Sequence, residues 1–423
     1  MTRLFPDSGY WALGIVYFVF GFFSVFSGPF ISFAGPRISM VIGSIPYFLF
    51  IGALLIGTFN GPVWLVYFMS VLIGIGASLL WGAQGAYLAR VDHLSSRERP
   101  AVVELVEVPL RKQTPGQPET PPPSSSLPSP SPPPPPAKPA HSPGHTNMGL
   151  LTGIVLTMDG CSSIVGFLIT FFLVDSNLTI LLAVLTGLAF IGLVAFSLLR
   201  YIPPIPKEGE SPGETKQEKA RCDLKGILVP VFKLMVDPDM LLFQVPFIFY
   251  GCCYSFLAGS VPPLIKTASF AAPAMIVRGV AAMVSSVVLG RLGDKYGRIG
   301  TLMVTYIFAL LALLFTLLGV LVADWLFFLA YIFFGCVESA QPTLIYALLE
   351  QLFQGKAEAY SCWGILRSLL CGAFFVMGDY ISPLALGIVV AVLALLSEVT
   401  LFVMWIRSRS RRKASAPVSA TKL

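Results

Sequence analysis

Charged residues are scarce in this chain of 423 residues, because Asp, Glu, Lys and Arg together make up 12% of it. A soluble globular domain carries roughly 25% charged residues. Hydrophobic residues make up 55%, and the mean hydropathy is +0.79. This composition excludes a soluble enzyme, a nucleic-acid-binding protein and a disulfide-rich secreted module. The net charge of +6 therefore has to be interpreted as the loop topology of a membrane protein.

The chain also lacks the patterns of several membrane-protein activities. Its three histidines, His93, His141 and His145, all lie in a proline-rich polar region, so no imidazole is available inside the membrane. There is no phosphate-binding loop, no H-E-x-x-H zinc motif and no T-V-G-Y-G ion filter. An ATP-driven pump, a zinc hydrolase and a channel are all unsupported. We expect no enzymatic activity, no cofactor and no metal site.

Long apolar blocks dominate instead. Eleven blocks of about 20 to 28 residues contain almost no charge, and this is the length that a helix needs to cross a hydrocarbon core of roughly 30 Å. The sequence therefore predicts an all-α polytopic membrane protein with five spans, a linker and six further spans. The predicted spans are residues 9–33, 38–59, 62–89, 148–173, 178–200, 239–265, 271–292, 300–322, 325–349, 357–378 and 383–406.

Two polar segments interrupt the spans. Residues 100–145 hold 16 of the 34 prolines and have nothing apolar to bury, so we expect polyproline or disordered chain there. Within residues 130–139 a P-x-x-P-x-K sequence fits SH3-type docking, and a passive insert is the alternative. The predicted organisation is spans 1–3 in residues 1–89, a cytoplasmic insert in 90–147, spans 4–5 in 148–200, an inter-half linker in 201–238, spans 6–11 in 239–406 and a basic tail in 407–423.

Basic residues set the expected orientation. Of the 28 Lys and Arg residues, 24 fall in one set of alternate loops, and the other set holds only Arg3 and Lys266. The positive-inside rule then places the C-terminus in the cytosol and the N-terminus outside. The protein is expected to be multi-pass in the plasma membrane or an endomembrane, with lipid as its constant partner. Asn177 begins a glycosylation sequon on the predicted outer side.

The turn after the seventh span carries a specific motif. Its sequence is GRLGDKYGR, and the positions that define the motif are Gly290, Asp294, Lys295, Gly297 and Arg298. This resembles the G-x-x-x-D-[RK]-x-G-[RK] signature of the major facilitator superfamily. The resemblance implies that the signature aspartate lies near the positive N-terminal end of the helix that starts at about Met148.

The first half is similar to the Unc-93-like branch of that superfamily. Residues 35–40, GPRISM, stand at the equivalent turn, and residues 76–85, GASLLWGAQG, follow the branch's G-x-x-x-L-L-W-x-x-Q-G run. The resemblance implies a helical bundle of two pseudo-symmetric halves around a central cleft. Members usually have twelve spans, so the amino half of this chain is expected to be one helix short.

Two function classes follow from the resemblance. The first is a secondary transporter that moves a small solute or ion by alternating access, which a cluster of opposite charges at mid-membrane favours. The second is a non-transporting regulator, such as an accessory subunit of an ion channel or a trafficking chaperone for other membrane proteins. The proline-rich insert and the absent helix favour this second class.

Charged residues inside spans point to the site, because each costs about 2.5 to 3.5 kcal/mol at a helix centre unless it faces a cavity or a partner. Asp159, Glu338 and Arg367 are expected near the midplane, where transporters of this architecture bind substrate. Structural pairing of Glu338 with Arg367 is the alternative. Gln84 and Trp81 of the third span either line the same cavity or hold helices together.

A salt bridge between the halves is also expected, joining Asp159 on the fourth span to Arg278 on the seventh. Counting along the helices puts the two side chains at similar depths. Such a pair would open and close as a gate or form a static brace, and the remaining alternative is that the two residues do not touch.

We predict that a tag after Leu423 is cytosolic and a tag before Met1 is lumenal or extracellular. The reason is the strong bias of basic residues towards one set of loops. Protease protection and antibody access in intact and permeabilised cells measure both positions, and a cytosolic N-terminal tag would contradict the prediction.

Overall fold

A computed structural model describes residues 9–57, 62–98, 148–173, 178–202, 224–266, 268–353 and 357–415, and all regular elements within these ranges are helical. The helices are α1 (Gly9–Ala34), α2 (Pro36–Gly57), α3 (Val63–Glu98), α4 (Met148–Leu173), α5 (Leu178–Ser197), α6 (Leu224–Met235), α7 (Pro238–Ser255), α8 (Ala268–Tyr296), α9 (Arg298–Leu321), α10 (Leu326–Phe353), α11 (Ala357–Tyr380) and α12 (Pro383–Ser415). A π-helical turn at Phe256–Ser260 and a 3₁₀ turn at Pro262–Leu264 extend α7.

Eleven of these helices are long and apolar enough to span a membrane, which confirms the predicted number. The exception is α6, a 12-residue helix inside the range predicted as the linker. Its Val231 is buried, and the helix packs against both α1 and α11. Several predicted boundaries also move; for example, α3 continues to Glu98 and α12 continues to Ser415.

Glycine makes the two equivalent turns of the halves. Gly35, between α1 and α2, has φ +82°, and Gly297, between α8 and α9, has φ +109°. Side chains with a Cβ rarely adopt such backbone angles, so glycine is required at both turns. The arginine that follows each turn is anchored to a carbonyl: Arg37 Nη2 donates to Ser197 O at 2.6 Å, and Arg298 Nη1 donates to Ala347 O at 2.6 Å.

The two halves meet along α1 with α11 and along α4 with α8. Small residues let these helices approach closely, because a Cβ at Gly21 would lie 2.8 Å from Leu369 and a Cβ at Gly153 would lie 2.6 Å from Ser286 O. Close approach of this kind is how helices associate in lipid, where no hydrophobic effect drives them together. The expected contact between the fourth and seventh spans, α4 and α8, is therefore present.

Within the second half, two glycines hold the backbones that carry the intramembrane arginines. The backbone at Gly251 on α7 lies against the carbonyl oxygen of Arg367 on α11. The backbone at Gly335 on α10 lies against the carbonyl oxygen of Arg278 on α8. Neither glycine has room for a side chain. Close helix packing therefore fixes the backbone positions from which the side chains of Arg278 and Arg367 extend.

The halves differ in one respect. Helix α7 packs on α11 and α12, and the described part of the first half contains no helix in the corresponding place on α4 and α5. These two helices are consequently the least buried spans of the described chain. Glycines on them, such as Gly166 and Gly187, have no atom within 4 Å of where a Cβ would stand.

We predict that Gly335→Ala lowers the thermal stability of the purified protein by about 1 to 3 kcal/mol, because the new methyl group overlaps the α8 backbone. The matched control is Gly187→Ala on α5, which has open space and should be neutral or stabilising by up to about 1 kcal/mol. Melting curves in detergent compare the two. Equal melting temperatures would mean that α8 and α10 do not pack this closely.

Candidate functional site

A cavity of about 340 Å³ lies between the two halves. Helices α1, α2, α3 and α4 line it from the first half, and α7, α8, α10 and α11 line it from the second. A volume of this size is at the lower end of the range for small-molecule sites, which is about 300 to 1,000 Å³.

All four charged side chains on its wall come from the intramembrane residues that the sequence singles out: Asp159, Arg278, Glu338 and Arg367. The structure therefore brings the three midplane candidates together around one space. It also adds Arg278, which the sequence assigned to a gate rather than to the substrate pathway.

The ion pair at the site joins Arg278 to Glu338. The distance from Arg278 Nε to Glu338 Oε2 is 3.4 Å, and the arginine residue is only 8% exposed. The close packing of Gly335 on the Arg278 backbone explains the pair, because Glu338 follows Gly335 by nearly one helical turn and so faces α8. Each partner reduces the cost of burying the other.

The expected pair between Asp159 and Arg278 is not formed in this structure, and neither is the alternative pair between Glu338 and Arg367. Counting residues along a helix gives depth but not the direction in which a side chain points. Arg278 lies at the predicted interface between α4 and α8, and its guanidinium carbon is 5.5 Å from the ring centre of Phe167 on α4, yet the carboxylate it pairs with is on α10 of its own half. The gate between Asp159 and Arg278 therefore stays a prediction.

Arg367 is held by aromatic rings instead of a carboxylate. Its guanidinium carbon lies 5.5 Å from the ring centre of Phe20, 5.5 Å from that of Tyr250 and 5.4 Å from that of Trp363. Cation–π contacts of this kind stabilise a desolvated guanidinium. Tyr250 is itself fixed, because its hydroxyl donates to the backbone oxygen of Glu338 at 3.0 Å.

Asp159 faces this cluster from α4, on the opposite half. The residue is exposed, and the surface that it exposes lines the cavity. Its backbone oxygen accepts a hydrogen bond from Ser162 Oγ at 2.7 Å. In the described part of the chain, its carboxylate has no ion-pair partner within 4 Å, unlike Glu338.

Trp81 and Gln84, the two candidates on the third span, lie in different places. Trp81 lies on the cavity wall and donates from Nε1 to the hydroxyl of Tyr47 at 3.1 Å, so it both lines the cavity and joins α3 to α2. Gln84 is three residues further along α3 and lies in a small adjoining void with Thr152 and Tyr346.

The signature turn is tied to its surroundings by Arg298. Its Nη2 and Nε lie 2.9 and 3.2 Å from Asp294 Oδ1, and its Nη1 reaches the α10 backbone. Gly290 is buried in α8, while Lys295 is exposed. Because Gly153 packs on Ser286 and Gly160 packs on Gly279, α4 and α8 are antiparallel, and the start of α4 points towards the end of α8 that carries Asp294. The expected approach of Asp294 to the start of α4 stays a prediction.

Sequence reasoning missed the aromatic part of the wall. Helical spacing contained the signal for Tyr346 of the wall, which follows Glu338 by eight residues and so shares a helix face with it. Trp363, which does not line the cavity but packs on Arg367, precedes that arginine by four residues. Further aromatic residues on the wall are Tyr17, Phe20, Tyr47, Phe50 and Tyr254. The glycosylation candidate Asn177 and the proline-rich residues 130–139 lie outside the described residues.

Two family models match the chain. The model described as "Ion channel regulatory protein UNC-93" matches residues 2–104, and the model of the Major Facilitator Superfamily matches residues 137–375, more than half of the chain. Among curated proteins, UNC93-like protein MFSD11 of Xenopus tropicalis is 37% identical over 84 residues. The same protein of Xenopus laevis is 38% identical over 84 residues. Each match covers 20% of this chain and 18% of the relative.

Solved structures give a longer match at lower identity. The MFS transporter FucP in its outward conformation aligns with a TM-score of 0.57 and 12% identity, over 92% of this chain and 88% of FucP. A variant of the E. coli fucose:proton symporter FucP aligns with a TM-score of 0.54 and 12% identity, over 95% and 91%. This likeness concerns the fold alone. Together the matches show that the chain is an Unc-93-like member of the Major Facilitator Superfamily.

Proposed function

We propose that this protein is a secondary transporter that moves a small solute across a membrane by alternating access. The observation that carries the proposal is the charged cavity between the halves, to which both halves contribute helices. Binding sites of transporters lie at mid-membrane, at the interface of the repeats. Rocking of one half against the other along α1 with α11 and α4 with α8 would expose the cavity to each side in turn.

The wall residues have separate roles in this proposal. Asp159 and Arg367 contact the solute, Glu338 keeps Arg278 neutralised, and Trp81 shapes the wall. The gate between Asp159 and Arg278 becomes a prediction for a second conformation, in which Arg278 leaves Glu338 for the carboxylate across the cavity. Depth favours this exchange, since all three side chains line one space.

A second candidate function is regulation of another membrane protein, such as an ion channel or a receptor. The observation that favours it is the UNC-93 family model over residues 2–104, whose description is that of an ion channel regulator. The largely exposed faces of α4 and α5 offer surface for a partner within the bilayer. We also propose that residues 130–139 dock an SH3 domain and that the C-terminus is cytosolic. Both features are compatible with either function.

We predict that Asp159→Asn and Arg367→Gln each reduce transport at least tenfold, because each removes a charge from the cavity wall. The assay uses proteoliposomes that contain the full chain, incubated with an isotope-labelled mixture of small metabolites, and mass spectrometry identifies what accumulates. The matched control is Glu398→Gln, which removes an intramembrane carboxylate on α12 that does not line the cavity. Its uptake should equal that of the wild type.

No accumulation by the folded wild-type protein would contradict transport. Equal uptake by the cavity variants, or equal loss in the Glu398→Gln control, would contradict the assigned role of the cavity charges. Co-purification of a channel or receptor with a wild-type protein that shows no flux would favour the regulatory candidate. Size-exclusion profiles of all variants establish that the proteins compared are folded.

A further inference from the structure

We infer that the central cavity binds a small zwitterion, with the carboxylate of the ligand at Arg367 and its ammonium group at Asp159. This inference names the substrate class of the cavity and rests on the proposed transport function for its physiological meaning. Four observations carry it: the partners of the other arginines, the surroundings of Arg367, the position of Asp159 and the charge balance of the wall.

Three other arginines of the described chain each have at least one oxygen atom of the protein as a partner. Arg298 contacts the Asp294 carboxylate and the Ala347 carbonyl, Arg278 pairs with Glu338, and Arg37 donates to the Ser197 carbonyl. A guanidinium has five N–H donors and no acceptor, so such oxygen partners are what it requires. Arg367 differs, because in the described residues no oxygen atom accepts a hydrogen bond from it.

The aromatic rings around Arg367 leave a ligand site open. They attract its charge through their faces, but they do not replace the oxygen acceptors that its N–H groups require. The residue is only partly buried, and its exposed part lines the cavity. A carboxylate entering the cavity matches the planar fork of a guanidinium with two parallel hydrogen bonds. Arg367 is therefore a preformed site for an anionic group.

Asp159 is the complementary feature of the opposite half. It is exposed to the same cavity, and its carboxylate lacks an ion-pair partner in the described part of the chain. A carboxylate in this position attracts a cationic group. Since Arg367 belongs to α11 and Asp159 to α4, a ligand that contacts both would touch both moving halves at once.

Charge balance selects a zwitterion over a simple ion. Arg278 and Glu338 neutralise each other, which leaves one positive and one negative side chain on the wall. A plain anion would satisfy Arg367 but leave Asp159 uncompensated and repelled, and a plain cation would have the reverse effect. A molecule with both charges satisfies both side chains without adding net charge to the membrane interior. Aromatic residues such as Tyr17 and Tyr254 supply apolar surface for the rest of the ligand.

The inference is tested by binding to the full chain purified in detergent. The probes are leucine, phenylalanine and the straight-chain amino acids from glycine to 6-aminohexanoate, whose two charges lie at increasing separation. Each probe is compared with the carboxylate that lacks the amine and the amine that lacks the carboxylate. A ligand of the native state raises the melting temperature. We expect at least one zwitterion to do so, with an affinity at least tenfold above both of its single-charge analogues.

Two variants separate the roles of the charges. Arg367→Gln should weaken zwitterion binding at least tenfold. Asp159→Asn should weaken zwitterion binding as well. It should also let the carboxylate-only analogue bind as tightly as the zwitterion, and misfolding would not produce this loss of preference. Glu398→Gln, outside the cavity, should bind like the wild type.

The inference is overturned if no zwitterion binds the wild type, if the carboxylate alone binds equally well, or if Asp159→Asn leaves the preference unchanged. These results differ from a failure of transport. Zwitterion binding without flux in proteoliposomes would refute the transport function and leave the site intact. Flux of an uncharged solute that zwitterions do not inhibit would refute the site and leave transport intact.

Discussion

The close contact of α10 with α8 at Gly335 is the interaction on which the site depends. The missing side chain of this glycine lets the two backbones approach, and Glu338 is thereby placed beside Arg278. Inside a bilayer no water compensates a charge, so a buried arginine without such a partner would be costly. The same principle applies at Gly251, where close packing on Arg367 sets the position of the second cation.

The two cations are stabilised by different means, and this difference gives the cavity its chemical character. Arg278 is neutralised by a carboxylate of its own half and contributes little net field. Arg367 keeps its full charge, because Phe20, Tyr250 and Trp363 stabilise it without neutralising it. An aromatic surrounding is thus a way to keep a positive charge available in a low-dielectric space.

The asymmetry of the halves bears on both proposed functions. Helices α1 with α11 and α4 with α8 form a matched pair of contacts, as a rocking mechanism requires. The faces of α4 and α5 are exposed, whereas the corresponding helices of the second half, α11 and α12, are covered by α7. This packing is compatible with a transporter that has one loosely packed pair of helices. It is equally compatible with a regulator that offers these helices to a partner, and a flux measurement distinguishes the two.

Hydropathy alone determined the eleven spans, because the thickness of the hydrocarbon core sets how many apolar residues a helix needs. The glycine turn at Gly297 and the charged positions were equally visible, since both depend on residue type at a local spacing. Only the tertiary structure decided that Arg278 pairs with Glu338 instead of Asp159. Sequence gives the depth of a side chain along its helix, whereas its partner depends on helix rotation, which glycine contacts between distant segments control.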